Sequence, residues 1–148
     1  MNTLKYISIM LLLSLLIVTG CSTKQEQVYQ PVEEEKMIIS FQKMLESGVT
    51  EKYEIFSTGR YAFSLLNKNN EENKRENTLL PEDLTYLKSL VQGDKFDSIP
   101  PYMEGSGENC PILLLRVNLN KEVTKRAESC ANTPEAFNKI LEEIEKLK

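Results

Sequence analysis

Three cysteines and no histidine set the limits of the chemistry that this chain could perform. Without histidine, the sequence lacks the commonest general base and the commonest nitrogen ligand for zinc. Cys110 and Cys130 lie far apart, whereas redox-active pairs are usually close in sequence, as in Cys-x-x-Cys at a helix start. Two isolated thiols also make a poor metal site. We therefore predict neither thiol catalysis nor a metal or cofactor.

Other catalytic patterns are also missing from the sequence. The serines lack a Gly-x-Ser-x-Gly setting, no phosphate-cradling glycine loop occurs, and the carboxylates are dispersed through predicted turns and polar faces. The acidic loop near Glu104 lacks the alternating ligands of a calcium site. These observations predict a protein that is not an enzyme.

The N-terminus reads as an export signal. Lys5 and the free amine form a short positive region, and an apolar run follows from Ile7 to Val18. A membrane-spanning helix needs about 18 or more apolar residues, and the polar residues after Cys21 end this run at once. We predict a cleaved signal peptide over residues 1–20.

The end of this leader, Val18-Thr19-Gly20-Cys21, resembles the lipobox of bacterial lipoproteins. The resemblance implies cleavage before Cys21, a diacylglycerol on its thiol and an acylated new N-terminus, so that several acyl chains hold the protein on a bilayer. In that family an aspartate after the cysteine signals retention in the inner membrane, and here Ser22 follows. The expected location is the cell envelope, with the periplasmic side of the outer membrane favoured; an ordinary secretory signal is the alternative.

The mature chain divides into a tether and a domain. Residues 21–35 are polar, lack a hydrophobic period and carry Pro31 and three consecutive glutamates, which predicts a disordered tether. Residues 36–148 have the size of one domain with one core. The whole chain carries a formal net charge of −4, and removing Lys5 with the leader makes it more negative. This charge disfavours nucleic acid as a partner.

An even pair of cysteines in an exported protein predicts a disulfide. Residues 110–117 and 122–128 resemble the two strands of a hairpin. If the hairpin turns about Asn120, Cys110 faces Cys130. The same register pairs Val117 with Val123, Leu113 with Ala127 and Leu114 with Arg126.

The remaining periodicities predict an α+β fold: an antiparallel sheet of about five strands with two helices packed on one face. Three strands are expected at residues 36–44, 51–57 and 60–66, with a turn at Thr58-Gly59. Residues 67–77 contain no apolar residue and are expected to form a mobile loop. Helices are expected from Pro81 to about Gln92 and from an N-cap at Thr133 to the C-terminus.

This order of elements, with the turn at Thr58-Gly59 and the segment from Phe96 to Pro100, is similar to that of emfourin-type domains, which inhibit thermolysin-like metalloproteases. The resemblance covers roughly residues 36–148. It implies metalloprotease inhibition as one possible activity, with no inhibitory residue carried over.

The loop at residues 100–109 is the best candidate for a partner-binding site. Tyr102 and Met103 are its only sizeable apolar side chains, between two prolines and a Gly-Ser-Gly sequence. The alternative is that both side chains pack over the edge of the sheet. The sequence therefore predicts a non-catalytic envelope lipoprotein that binds a protein or contributes structurally; a metalloprotease inhibitor and an unrecognised envelope hydrolase are the alternatives.

Overall fold

The computed structural model describes residues 34–69, 71–107 and 109–148. The predicted signal peptide, Cys21 and most of the predicted tether lie outside these residues. None of the described helices is long and apolar enough to cross a membrane.

The described residues form a seven-stranded mixed sheet and three helices. The strands are β1 (Met37–Met44), β2 (Thr50–Phe56), β3 (Arg60–Leu66), β4 (Glu72–Thr78), β5 (Tyr102–Met103), β6 (Ile112–Asn118) and β7 (Glu122–Glu128). The helices are α1 (Pro81–Leu90), α2 (Asp94–Asp97) and α3 (Glu135–Glu145). The strand order is β4-β3-β2-β1-β6-β7-β5. All neighbouring strands are antiparallel except β5, which runs parallel to β7.

The α+β class is confirmed, but the expected antiparallel sheet of about five strands is wrong. Residues 67–77 were expected to form a mobile loop, but residues 72–77 belong to β4, which pairs with β3 from Leu66↔Glu72 to Arg60↔Thr78. Every residue of β4 is exposed, so the strand has no hydrophobic alternation that could predict it. A polar edge strand of this kind discourages pairing with other chains. The other strand that the sequence did not predict, β5, contains only two residues.

The predicted hairpin between β2 and β3 is confirmed. Gly59 adopts φ 90° at its turn, a conformation that glycine reaches without steric cost. The Gly59 amide donates to the carbonyl oxygen of Phe56 at 3.0 Å. This turn places Tyr53 opposite Phe63, with their ring centroids 4.9 Å apart.

Alternate residues of the central strands build the core. Ile39 and Phe41 on β1 lie opposite Val117 and Leu115 on β6, and all four side chains are buried. The buried side chains of the helices belong to the same hydrophobic cluster: Leu87, Phe96, Phe137, Ile140, Leu141 and Ile144. One core therefore joins the sheet to the helices.

The helix boundaries differ from the sequence expectations. Helix α1 ends at Leu90, before the expected Gln92, and the short α2 makes a third helix where two were expected. Helix α3 begins at Glu135 with Pro134 at the N-cap position. The Thr133 hydroxyl bonds to Asn138 Oδ1 at 2.5 Å, so the expected N-cap at Thr133 is wrong.

Candidate binding surface at the disulfide edge of the sheet

The hairpin of β6 and β7 has the predicted register. Val117 pairs with Val123, Leu113 with Ala127 and Leu114 with Arg126. Beyond the last pair of this ladder, Ile112↔Glu128, the Ser129 amide donates to the Pro111 carbonyl oxygen at 2.8 Å. This ladder brings Cys110 and Cys130 to a Cα separation of 5.8 Å, within the usual range for a disulfide. The predicted Cys110–Cys130 disulfide is confirmed.

The segment leading into β5 is held by the neighbouring strand β7. Lys125 is buried, and its ammonium group donates to the carbonyl oxygen of Ile99. The same Nζ lies 5.4 Å from the centre of the Phe96 ring, where the ring's negative face attracts a cation. The next residue, Arg126, donates its amide to the Pro101 carbonyl oxygen at 2.9 Å. These contacts fix where β5 begins.

Within β5, the two predicted partner-binding residues point to opposite faces of the sheet, as successive strand residues do. Met103 is 7% exposed and belongs to the hydrophobic core. Tyr102 is 46% exposed. The alternative of packing at the sheet edge therefore describes Met103, and only Tyr102 presents an accessible aromatic surface.

Tyr102 is held by side chains of β7. Its hydroxyl donates to Glu128 Oε1 at 2.9 Å, and the Arg126 guanidinium carbon lies 5.6 Å from the centre of its ring. The hydrogen bond to the Glu128 carboxylate raises the pKa of the Tyr102 phenol, and desolvation raises it further. Tyr102 is thus a protonated, oriented aromatic side chain at the edge of the sheet.

Two glycines let the following loop approach the disulfide. The Gly105 amide donates to Glu128 Oε2 at 3.0 Å, so one carboxylate holds both β5 and the loop. A Cβ at Gly105 would overlap Cys130 Sγ, and one at Gly107 would lie 3.2 Å from Cys110 Sγ. The Gly-Ser-Gly sequence therefore serves close packing.

The same cluster also contains the ligand types of a metal site. Sγ of Cys110, Sγ of Cys130 and a Glu128 carboxylate oxygen lie within 4.8 Å of one another. Metal binding by cysteine requires the thiolate, which the disulfide removes. Glu128 instead accepts hydrogen bonds from Tyr102 and Gly105. With the disulfide formed, Cys110, Cys130 and Glu128 therefore hold the loop and β5 in place.

A cleft of about 320 Å³ lies between the α1–α2 connection and the turn of the β6–β7 hairpin. Val91, Phe96 and Val117 form part of its apolar wall, and Asp97 is the carboxylate among its lining residues. General acid–base chemistry of the paired type needs two carboxylates with separated pKa values. The described lining of this cleft supplies the single carboxylate of Asp97.

The sequence analysis missed Arg126 and Glu128 as parts of the site. Both lie on a strand that was predicted correctly, but their link to Tyr102 depends on the parallel pairing Tyr102↔Arg126. No spacing in the sequence signals that pairing, because the two residues are joined by a long connection. The predicted lipidation site, Cys21, lies outside the described residues.

Comparisons with known proteins give no independent guide to these residues. No protein-family model matches the chain, and a search of curated proteins finds no significant relative. The chemistry of the described residues and the sequence patterns are therefore the basis for a functional conclusion.

Proposed function

We propose that this chain is an extracytoplasmic bacterial lipoprotein, anchored through acylated Cys21, whose domain binds a protein partner without catalysing a reaction. In this proposal the longer helices α1 and α3 cover one face of the sheet and leave the opposite face open. The periplasmic side of the outer membrane is the favoured location. A partner would meet the domain beyond the tether, at the edge that carries Tyr102.

The proposed location outside the cytoplasm is supported chiefly by the disulfide between Cys110 and Cys130. Disulfides persist in oxidising compartments and are rare in the cytosol. This bond supports export, and the lipobox-like sequence that ends at Cys21 supports export with a lipid anchor. The two features lie in separate parts of the chain and agree on the compartment.

The proposed binding role is supported by the geometry of Tyr102. Exposed aromatic side chains with fixed orientation are favoured as interface anchors, because they offer a large contact area at a small cost in conformational entropy. Glu128 and Arg126 hold this side chain in place. In the cleft that contains Ser89 and Ser98, both hydroxyls donate to backbone carbonyl oxygens of their own helices rather than to a side-chain base.

The anchor is tested by Cys21→Ser in cells supplied with an alkyne-tagged palmitate. We expect loss of lipid labelling and accumulation of uncleaved precursor, because both steps depend on the Cys21 thiol in lipoproteins. Cys130→Ser serves as the matched control and should remain labelled. Normal cleavage of the Cys21→Ser chain would refute the lipoprotein assignment.

The binding role is tested by affinity capture from detergent-solubilised envelopes, followed by titration of the captured partner. Tyr102→Ala should weaken binding by about 2 kcal/mol, the effect of a central interface anchor. Tyr86→Ala is the control, since Tyr86 is 41% exposed on helix α1 and the centre of its ring lies 5.9 Å from Nζ of Lys139 on helix α3. Equal effects of the two substitutions would contradict the assignment of the surface.

A further inference from the structure

The two edges of the sheet differ in how far a neighbouring strand covers them. At one edge, β4 is outermost over its full length, and every one of its residues is exposed. Charged side chains on such a strand discourage pairing with another chain. At the other edge, the outermost strand β5 contains only two residues, which pair with Arg126 and Ala127 of β7. The first half of β7 therefore forms part of this edge.

The register of the β6–β7 hairpin decides which backbone groups of β7 face this edge. In an antiparallel pair of strands, hydrogen-bonded and non-hydrogen-bonded residue pairs alternate. Because the Ser129 amide donates to the Pro111 carbonyl oxygen, the odd-numbered residues of β7 bond to β6 and the even-numbered residues turn their backbone groups outward. Arg126 follows this rule, since its amide donates to the Pro101 carbonyl oxygen on the outer side at 2.9 Å.

Two residues of β7 hold outward backbone groups that have no strand beside them. Glu122 and Thr124 form no backbone hydrogen bond on the outer side within the described part of the chain. The pairing with β5 stops before Thr124 because Pro101 has no N–H to donate to the Thr124 carbonyl oxygen. The Ile99 carbonyl oxygen accepts from the Lys125 ammonium group instead. Since Glu122 and Thr124 are both exposed, another chain can reach these groups.

The cleft of about 320 Å³ borders the same stretch of β7. Val123 lines this cleft together with Phe96 from α2 and Val117 from β6, and Val123 is half-buried. Side chains that lie opposite each other on paired strands share one face of the sheet. A strand added beside β7 would therefore direct the side chain opposite Val123 into the cleft.

The lining of the cleft shows what kind of side chain it can accept. Its two charged residues, Asp97 and Lys121, have opposite signs, so charge favours neither an acidic nor a basic partner. Half of the lining residues are apolar: Val91, Phe96, Val117, Leu119 and Val123. The complement of this edge is an uncharged backbone with an apolar side chain.

We propose that this edge binds an extended, uncharged segment of a partner polypeptide as an added antiparallel strand. The edge groove consists of the outward backbone groups of Glu122 and Thr124 and the cleft beside Val123. The partner residues opposite Glu122 and Thr124 each exchange two N–H···O bonds with β7. The partner residue between them places an apolar side chain in the cleft. Such strand addition takes its affinity from main-chain hydrogen bonds and its specificity from pockets for alternate side chains.

This inference rests on the proposed function because it takes the domain to be a protein-binding module. It adds the class of partner: an extended segment in which an apolar residue lies between two residues that pair through their backbone. Tyr102 lies opposite Arg126, two residues beyond Thr124, which is roughly 7 Å along the strand. One partner can therefore contact both the edge groove and Tyr102.

The experiment is a fluorescence anisotropy titration of the full chain in nanodiscs of neutral phosphatidylcholine, which keep free detergent out of the cleft. The probe is a fluorescein-labelled peptide in which threonine alternates with leucine, with one terminal lysine and one terminal glutamate. Methyl groups on its threonine nitrogens block the bonds to β7, whereas methyl groups on its leucine nitrogens lie on the outer side of the added strand. We expect saturable binding of the parent and leucine-methylated peptides. The threonine-methylated peptide should bind more weakly by roughly tenfold or more, because it loses its donors to β7.

Thr124→Pro tests the same bonds from the side of the protein. Proline removes the outward N–H of Thr124, which has no partner in the described fold, and edge strands tolerate proline. The parent peptide should bind this variant more weakly by roughly tenfold or more. Thr78→Pro is the matched control, because Thr78 lies on the other edge strand, β4, and its amide bonds to Oδ1 of the adjacent Asn77. It should leave the affinity unchanged.

Equal binding of the two methylated peptides would overturn the proposal, because the cleft would then take up an apolar side chain without strand pairing. An equal loss of affinity in Thr78→Pro would overturn it as well, and so would the absence of saturable binding at millimolar peptide. If Thr124→Pro unfolds the domain, the methylated peptides still decide the question, since they leave the protein unchanged.

The proposed function fails separately, by the absence of envelope capture with the native chain. Capture that depends on Tyr102 but is unchanged in Thr124→Pro would leave the proposed function standing and reject this inference.

Discussion

Removal of the disulfide should cost a defined amount of stability, and the structure allows that amount to be worked out. The perturbation is the double substitution Cys110→Ser, Cys130→Ser. Its target is the cross-link at the open end of the β6–β7 hairpin, beyond the last pair, Ile112↔Glu128. The hairpin itself keeps its ladder and its core contacts in the variant.

The magnitude follows from the length of chain that the disulfide closes. The two cysteines are separated by 20 residues. For a loop of this length the chain-entropy model gives a stabilisation of about 3 kcal/mol, because the cross-link restricts the unfolded chain. For a domain of roughly 100 residues, 1 kcal/mol corresponds to about 4 °C at the midpoint, so the melting temperature should fall by roughly 12 °C.

The assay is urea unfolding of the double variant and of the native chain, each with and without a phosphine reductant. Reduced native chain should reach the stability of the double variant, and the reductant should leave the variant unchanged. Hydrogen exchange on the same samples should show faster exchange at Gly105, since its amide bonds to Glu128 beside the disulfide.

A loss of less than about 1 kcal/mol with an unchanged denaturant slope would refute the entropic argument. A changed slope would instead mean that the unfolded state of the cross-linked chain is more compact than assumed. The comparison with reduced native chain separates both results from any effect of the serine side chains.

Three further predictions concern the same domain. Met103→Ala should lower the free energy of unfolding by about 2–4 kcal/mol, as for other buried methionines, because this side chain is 7% exposed; a urea-unfolding change below about 1 kcal/mol would contradict its burial. Gly105→Ala should destabilise the domain by about 1–3 kcal/mol because its Cβ would overlap Cys130 Sγ, and an unchanged melting temperature would count against this packing. The hydrogen bond from the Arg60 guanidinium holds the pKa of the Glu35 carboxyl below its ordinary value. The unfolded chain therefore takes up this proton first, and the stabilisation, which is complete above the ordinary pKa, should be lost as the pH falls through the lowered one. Glu35→Gln should flatten the dependence of the melting temperature on pH below about 5, and an identical profile would contradict the ion pair.

Local patterns were sufficient to predict the hairpin that carries the disulfide. Apolar residues alternate in both of its strands, and the two cysteines lie at equal distances from Asn120. A register shift of one residue would move every core side chain to the opposite face. This constraint explains why the predicted pairs, among them Leu113↔Ala127, occur in the structure.

The polar edge strand β4 could not be predicted in the same way. Its pairing with β3 uses backbone hydrogen bonds that are independent of side-chain type, and both of its faces are exposed. A strand without a buried face carries no hydrophobic period. The two residues of β5 are too few to show any period at all.

The sequence by itself determined the α+β class, the disulfide partners and the register of the last hairpin, because each depends on local periodicity or on cysteine chemistry. The tertiary structure decided which of Tyr102 and Met103 is buried, since that depends on the parallel pairing of β5 with β7. It also decided that Glu128 holds Tyr102, whose hydroxyl donates to its carboxylate. These relations join residues that are distant in sequence, and long-range strand pairing leaves no local pattern from which to predict them.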